Sequence, residues 1–480
     1  MDDQGTELQP HVLIIPYPGQ GHVTPMLKLA ELLCHAGIHV TFLVTDDNHR
    51  RLRLRHSTVQ SHLASYSEFR FETISDGLPE DHPRSGDRVM EVFFSFLATA
   101  EPLLKEMLRY DRVRGSDSGR KRITCIIADG LLGFAIDVGE EIGIPVISFR
   151  TTGAGNFWAF FCASKLIEAG EFPFQGNNMD VPIKSVPGMD GFLRRRDLPN
   201  FYRVKDIADK KLQEIVSATQ KAARAGAMIL NTFEELEGPI LAHASSHCPH
   251  IYTIGPLHAH VKVRVASPIT LNSLWEEDMS CMTWLDAQLP KSVIYVSFGS
   301  AATMTEDHLM EFWHGLVNSG KQFLWVIRPD SVVGKDWEKC LSTEILKGTK
   351  ERGCIIGWAP QEEVLAHKSV GGFVTHSGWN STLESIVAGV PMICWPHFGD
   401  QPLNSRLVGE VWKLGLDMKD TCDRVIIEKM IKDLLDVKKE EFQLLSDRMA
   451  KLAQNAVTDG GSSYNNLDCL IRDIKLMGVD

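Results

Sequence analysis

Residues 11–45 read HVLIIPYPGQGHVTPMLKLAELLCHAGIHVTFLVT. The opening HVLIIPY (11–17) is a short apolar run, as a strand buried on both faces requires, and Met26, Leu29, Ala30 and Leu33 then recur at helical spacing until Gly37 ends the pattern. HVTFLVT (39–45) is a second strand. A strand, a helix and a strand joined by short loops form a right-handed βαβ unit, hence a parallel sheet. The theme returns at ITCIIAD (123–129) and PVISF (145–149), and again at VIYVSFG (293–299), FLWVIRP (323–329), GCIIGW (353–358), GGFVTH (371–376) and VPMICWP (390–396). The fold class predicted is α/β, with two doubly wound parallel-sheet domains.

A chain of 480 residues exceeds what one core usually supports, which agrees with two domains. With 44% hydrophobic and 23% charged residues it falls among globular proteins, and a formal net charge of −12 disfavours nucleic acid or an anionic membrane as the main partner. The basic runs HRRLRLRH (49–56) and RRR (194–196) read as solvated faces. Ten scattered cysteines without a Cys-x-x-Cys pair suit reduced thiols in the cytoplasm. The acidic start MDDQGTELQPH and the lack of an apolar run of about 18 residues predict neither a signal peptide nor a membrane span. Residues 254–278 lack sustained periodicity and read as a linker, whereas 440–457 and 462–477 read as helices.

The loop PGQGHVTP (18–25) raises a choice. A dinucleotide fingerprint needs Gly-x-Gly-x-x-Gly, but Thr24 stands where the third glycine belongs, and Asp46 and Asp47 lie too far on to be the ribose acid. Alternatively, Gly19 and Gly21 permit a tight turn, Pro25 opens the helix, and His22 is held at the carboxyl edge of the first strand, where it could act as a general base or merely face solvent. Asp129, closing the apolar ITCIIAD, could orient that imidazole or simply cap the next helix.

Residues 358–401, WAPQEEVLAHKSVGGFVTHSGWNSTLESIVAGVPMICWPHFGDQ, resemble the signature box of plant family 1 UDP-dependent glycosyltransferases. GQGHVTPML, SDGLP (75–79), RDLP (196–199), LNTFEELE (230–237), IGPL (254–257), WLD (284–286) and SFGS (297–300) look like landmarks of the same family. The resemblance implies the GT-B fold, two facing Rossmann-like domains with the active site in the cleft. Residues 1–253 would bind the acceptor, 254–278 would link, 279–457 would bind the UDP-sugar, and 458–480 would return a helix to the first domain.

By residue chemistry, SGWNSTLESIVAG starts a helix whose N-terminal amides suit a pyrophosphate. The resemblance adds contacts to the diphosphate from Ser300, His376, Gly378, Asn380 and Ser381. It gives Glu384 and Gln361 to the ribose, Trp358 and the backbone of Ala359 to uracil, and Thr151, Trp379, Asp400 and Gln401 to the sugar, Gln401 going with glucose. By spacing alone STLE is equally a capping box, and Trp358 a core residue.

The implied chemistry is inverting transfer of glucose from UDP-glucose to a small lipophilic plant metabolite, at a terpenoid, iridoid or phenolic hydroxyl or at a carboxyl group, with His22 as base and Asp129 behind it. No cofactor is expected, and with no Asp-x-Asp and no zinc spacing, no metal either. A monomer is expected. A non-catalytic nucleotide-sugar binder and an NAD-dependent oxidoreductase are the alternatives. The pattern looks most like transferases of small terpenoids such as iridoids. Phe93, Phe94, Phe157, Trp158 and Phe161 suggest the acceptor's apolar wall, together with the loop 75–87, and Arg150 and Arg194–Arg196 an acidic acceptor. His397, Gly399 and Arg150 depart from the family pattern.

Overall fold

The computed structural model describes residues 10–55, 66–84, 88–114, 122–248, 250–266, 273–333, 349 and 352–477. Seven parallel strands form the first sheet: β1 (His11–Ile15), β2 (His39–Thr45), β3 (Phe69–Ile74), β4 (Cys125–Asp129), β5 (Val146–Arg150), β6 (Ala227–Leu230) and β7 (Ile251–Thr253), in the order β3-β2-β1-β4-β5-β6-β7. Six more form the second: β8 (Val293–Ser297), β9 (Gln322–Val326), β10 (Gly353–Ile356), β11 (Val370–Thr375), β12 (Met392–Cys394) and β13 (Gly415–Asp417), in the order β10-β9-β8-β11-β12-β13. Every strand read from the sequence is present. β3, β6, β7 and β13 are additions. Three of these are sheet edges, and β6 has only four residues, too few for a pattern to show.

Each sheet reverses its winding once, between β1 and β4 and between β8 and β11. Ligands of open α/β sheets bind outside the strand ends at such a reversal. Ile15 lies beside Ala128, and Thr375 beside Ser297, so the chain leaving β1 meets the end of β4, and the chain leaving β8 meets the end of β11.

Helix α1 (Gln20–His35) begins earlier than the sequence reading placed it. The Gly19 carbonyl accepts from both His22 N (2.9 Å) and Val23 N (3.0 Å), so His22 lies inside the first turn, and Pro25 is an interior residue rather than the opening one. The expected linker also holds a helix, α2 (Leu257–Arg264). It escaped detection because His258 and His260 are as buried as Leu257 and Val261, which leaves no polar face. The C-terminal helices span Lys439–Val457 and Ser462–Leu476, close to expectation. Leu467, Leu470 and Ile474 of the last one share a core with Val12, Ile14 and Val40 of the first sheet, together with Leu257 and Val261. Among the described residues no helix is long and apolar enough to cross a membrane, and the nine described cysteines are unpaired.

Candidate active site

The two reversals face one cleft. On its first wall His22 Nδ1 donates to Asp129 Oδ2 over 2.7 Å; the histidine side chain is 22% exposed and the aspartate 2%. The capping alternative fails, since the next helix begins at Phe134 with Gly133 as its N-cap and no capping side chain, and the other oxygen of Asp129 instead accepts from Leu131 N (2.9 Å) in a local turn. That second bond fixes the carboxylate, which in turn fixes the ring. The Tyr17 ring packs edge-on against the imidazole at 5.0 Å, and Thr151 Oγ1 lies 2.9 Å from Nδ1. Nε2 has no hydrogen-bond partner among the described residues, and His22 lines the cleft. A histidine bonded through Nδ1 to a buried carboxylate presents its other nitrogen as a base.

The opposite wall is the start of helix α3 (Trp379–Ala388), which Gly389 ends at φ +63°. Its N-cap is Gly378, with no capping side chain, so the first-turn amides are left for a ligand. Ser381 is therefore the third residue of the helix and not its cap, which excludes the capping-box reading of STLE. His376, Gly378, Asn380, Ser381 and Ser300 line the cleft together. Glycines wedge the His376 ring: a Cβ on Gly299 or Gly378 would stand 2.4 Å from its Nε2, and Gly299 has φ +70°. The Ser300 loop is pinned from behind by Arg328, which donates to the carbonyls of Gly299 and Ala302. Burial, with the nearby His397 and Arg328, pushes His376 down to about 3, so it is neutral at pH 7 and can offer hydrogen bonds but no charge.

Further along, Gln361 Nε2 donates to both Ser381 Oγ (2.9 Å) and Glu384 Oε2 (2.6 Å). Burial and the neighbouring Glu362 charge push the Glu384 carboxyl up to about 7. Trp358 stands partly exposed in the cleft, with Trp275 stacked on it at 6.0 Å, and Ala359 is beside it. At the other end, Gln401 Oε1 accepts from the amides of His397 (2.8 Å) and Phe398 (3.0 Å), while Asp400 Oδ2 accepts from Asn404 Nδ2 (2.7 Å). Burial raises Asp400 to about 6. Trp379 bridges the two walls: its indole nitrogen donates to Asn231 O (2.7 Å), and its ring covers Gly153 so closely that a Cβ there would meet it at 2.7 Å. Among the described residues no cluster of three or more His, Cys, Asp or Glu could hold a metal ion.

Every expected site residue except Asp129 lines the cleft, and Asp129 reaches it through His22. The acceptor wall differs from expectation. Phe157 and Trp158 are completely buried in the core of the first domain, and Phe93, Phe94 and Phe161 also fall outside the lining. Tyr17, Val89, Val92 and Leu274 are apolar residues that line the cleft in their place. Of the loop 75–87, Asp76 and Arg84 contribute, and residues 85–87 lie outside the described residues. Arg150 is 4% exposed, bonded to Thr219 and packed over Phe157, so it faces away from the cleft. Arg194 and Arg196 pair with Asp180, Asp197 and Asp420, and Arg195 covers Phe174. The other basic run was not a mere solvated face, since Arg51 lines the cleft. A short helix carrying several arginines gave no signal that one of them turns inward.

A family profile described as "UDP-glucoronosyl and UDP-glucosyl transferase" matches residues 204–448. The chain is 56% identical over 480 residues to 7-deoxyloganetic acid glucosyltransferase of Catharanthus roseus, with 99% of each chain covered. It is 43% identical to myricetin 3-O-rhamnoside 1,2-glucosyltransferase of Crocosmia x crocosmiiflora, covering 98% of this chain and 97% of that one. Among solved structures, Os79 of O. sativa in complex with UDP superposes with a TM-score of 0.80 at 28% identity, covering 96% of this chain and all of that one. With a UDP-bound structural relative, a cleft lined by the signature box and full-length identity above one half, the chain belongs to the UDP-dependent glycosyltransferases of the GT-B fold.

Proposed function

We propose that this enzyme transfers glucose from UDP-glucose to a hydroxyl of a small terpenoid of iridoid type, with inversion at the anomeric carbon. The first domain, 1–253, takes the acceptor and the second, 279–457, the UDP-sugar. One observation carries the mechanism: His22, bonded to Asp129, faces the uncapped start of helix α3 across one cleft. His22 Nε2 removes the acceptor proton as its oxygen attacks the anomeric carbon from the side opposite UDP. Asp129 stabilises the imidazolium that forms, a contribution on the order of 10²–10⁴-fold for a positioned base. The leaving diphosphate is held by the α3 amides, with Ser300, His376, Asn380 and Ser381 beside them. Trp358 and Ala359 hold uracil, Glu384 and Gln361 the ribose, and Asp400, Gln401 and Thr151 the sugar hydroxyls. The 56% identity to an iridoid acid glucosyltransferase supports the acceptor class, and the apolar wall of Tyr17, Val89, Val92 and Leu274 suits a small lipophile. The enzyme works as a monomer in the cytoplasm without metal.

The test is turnover of labelled UDP-glucose with panels of phenols, flavonoids, terpenoid alcohols and terpenoid acids, with and without a chelator. Glucosides of terpenoids formed equally in both conditions are expected. Turnover confined to phenolics, or lost to the chelator and restored by Mn²⁺, overturns the corresponding part.

A further inference from the structure

The helix Asp46–Arg55, which follows β2, brings Arg51 into the cleft lining together with Thr45, Asn48, Asp76 and Arg84. The arginines there are not equally engaged. Arg84, held at φ +53°, is bidentate to Asp76 (2.6 and 3.1 Å) and donates to the carbonyls of Leu78 (3.1 Å) and His82 (2.8 Å). Asp76 is thereby also occupied. Asp47, 7% exposed, is shared by Arg50 and Arg51, and Arg84 Nε stands 4.0 Å from it. Arg50 turns outward to Glu80, which is 86% exposed and holds it weakly. Arg84 and Arg50 thus each have two or more acceptors, whereas Arg51 has only its share of Asp47 and the Pro83 carbonyl.

The incompletely engaged guanidinium is that of Arg51. Its Nε faces Asp47 Oδ2 at 2.8 Å, Nη2 has only a 3.4 Å contact to Pro83 O, and Nη1 has no partner among the described residues. Arg51 lines the cleft with its terminal nitrogens held by no more than that long contact, and a guanidinium fork matches a carboxylate in two parallel hydrogen bonds.

We propose that Arg51 binds the carboxylate of a hydroxy-acid acceptor, so that the acid group is anchored at the β2 side of the cleft while the hydroxyl is delivered to His22. The proposal rests on the small-terpenoid reading given above. It also decides which product forms. A carboxylate is already ionised at neutral pH and needs no base to attack, so the His22–Asp129 pair has work to do only on a hydroxyl. With the carboxylate on Arg51, the acceptor O–H bond breaks toward His22 and the new bond joins that oxygen to the anomeric carbon. The carbon–oxygen bond to UDP breaks in the same step. The product is a β-glucoside with a free carboxyl group, not a glucose ester.

The experiment compares 7-deoxyloganetic acid with its methyl ester as acceptors for the wild-type enzyme, Arg51→Ala and Arg51→Gln, with UDP affinity measured on each protein as a check of folding. Wild type is expected to prefer the acid and to give an alkali-stable product. Both variants should raise KM for the acid by about 10- to 100-fold, the range for losing a charged bidentate pair, with KM for the ester and UDP affinity unchanged. An unchanged acid-to-ester preference in both variants, or an alkali-labile product, overturns the proposal alone. If wild type binds UDP but uses neither compound, the terpenoid reading fails and the proposal with it.

Discussion

The side-chain amide of Asn380, in the first turn of α3, donates to the main-chain carbonyl of Gly21 over 2.9 Å. Pro25 is why that carbonyl is free. In a continuous helix the N–H of residue 25 would bond the carbonyl of residue 21, and proline has none to give. The donor domain therefore docks on the backbone one residue before His22, using an acceptor that α1 leaves unfilled.

Pro25→Ala restores the internal bond and sets it in competition with Asn380. Because alanine suits a helix interior far better than proline, the melting temperature should stay level or rise, while kcat falls several-fold and UDP affinity holds. A variant with unchanged kcat would show that the contact does not set the register of His22.

His22→Ala should lower kcat by about 100-fold or more, with UDP affinity within a few-fold because the diphosphate site is on the other wall. Asp129→Ala should lose less, and the double variant little more than His22→Ala, since the two act as one unit. Single-turnover rates and UDP titrations check this. Weakened UDP binding with intact turnover of bound substrate would return the loop to the role of a phosphate cradle.

Gln401 spends its carbonyl oxygen on two backbone amides, and its –NH₂ is the group that the proposed function gives to the sugar. Gln401→His cannot reproduce both bonds and a donor in the same place. The ratio of kcat/KM for UDP-glucose to that for UDP-galactose should fall, whereas an unchanged ratio would remove Gln401 from sugar recognition.

Glu384, raised to about 7 by burial and by Glu362, holds a proton in the folded chain that the unfolded chain releases near 4.5. It favours the fold most below pH 4.5, and this contribution declines as pH rises from 4.5 to 7. His376, depressed to about 3, acts oppositely, costing stability as pH falls below its ordinary 6.5. Glu384→Gln removes the first effect and keeps the second. From pH 5 to 8 the wild-type melting temperature should therefore decline relative to the variant's, whereas parallel curves would mean that Glu384 ionises like an exposed glutamate. UDP affinity of the wild type should rise across the same range, as the carboxylate becomes a better acceptor for ribose hydroxyls.

The sequence alone determined the two-sheet α/β architecture, because a strand buried on both faces is a continuous apolar run and a helix on a sheet repeats at 3.6 residues, both local patterns. It also determined which residues of one stretch line the cleft together, since 358–401 is contiguous and its cleft residues follow one another along the chain. What only the tertiary structure decided is whatever depends on which separate segments meet. His22 and Asp129 are 107 residues apart, and their contact follows from β1 lying next to β4. The aromatic run of 157–161 is helical whichever way it faces, and the packing of Trp158 into the first core, not its composition, took it out of the acceptor wall. Arg51 read as one of several solvated charges, because no local pattern records which arginine on a short helix turns toward a cleft built by the other half of the chain. Burial and charge balance are sums over neighbours from the whole molecule, and those neighbours are assigned only when the sheets close around the cleft.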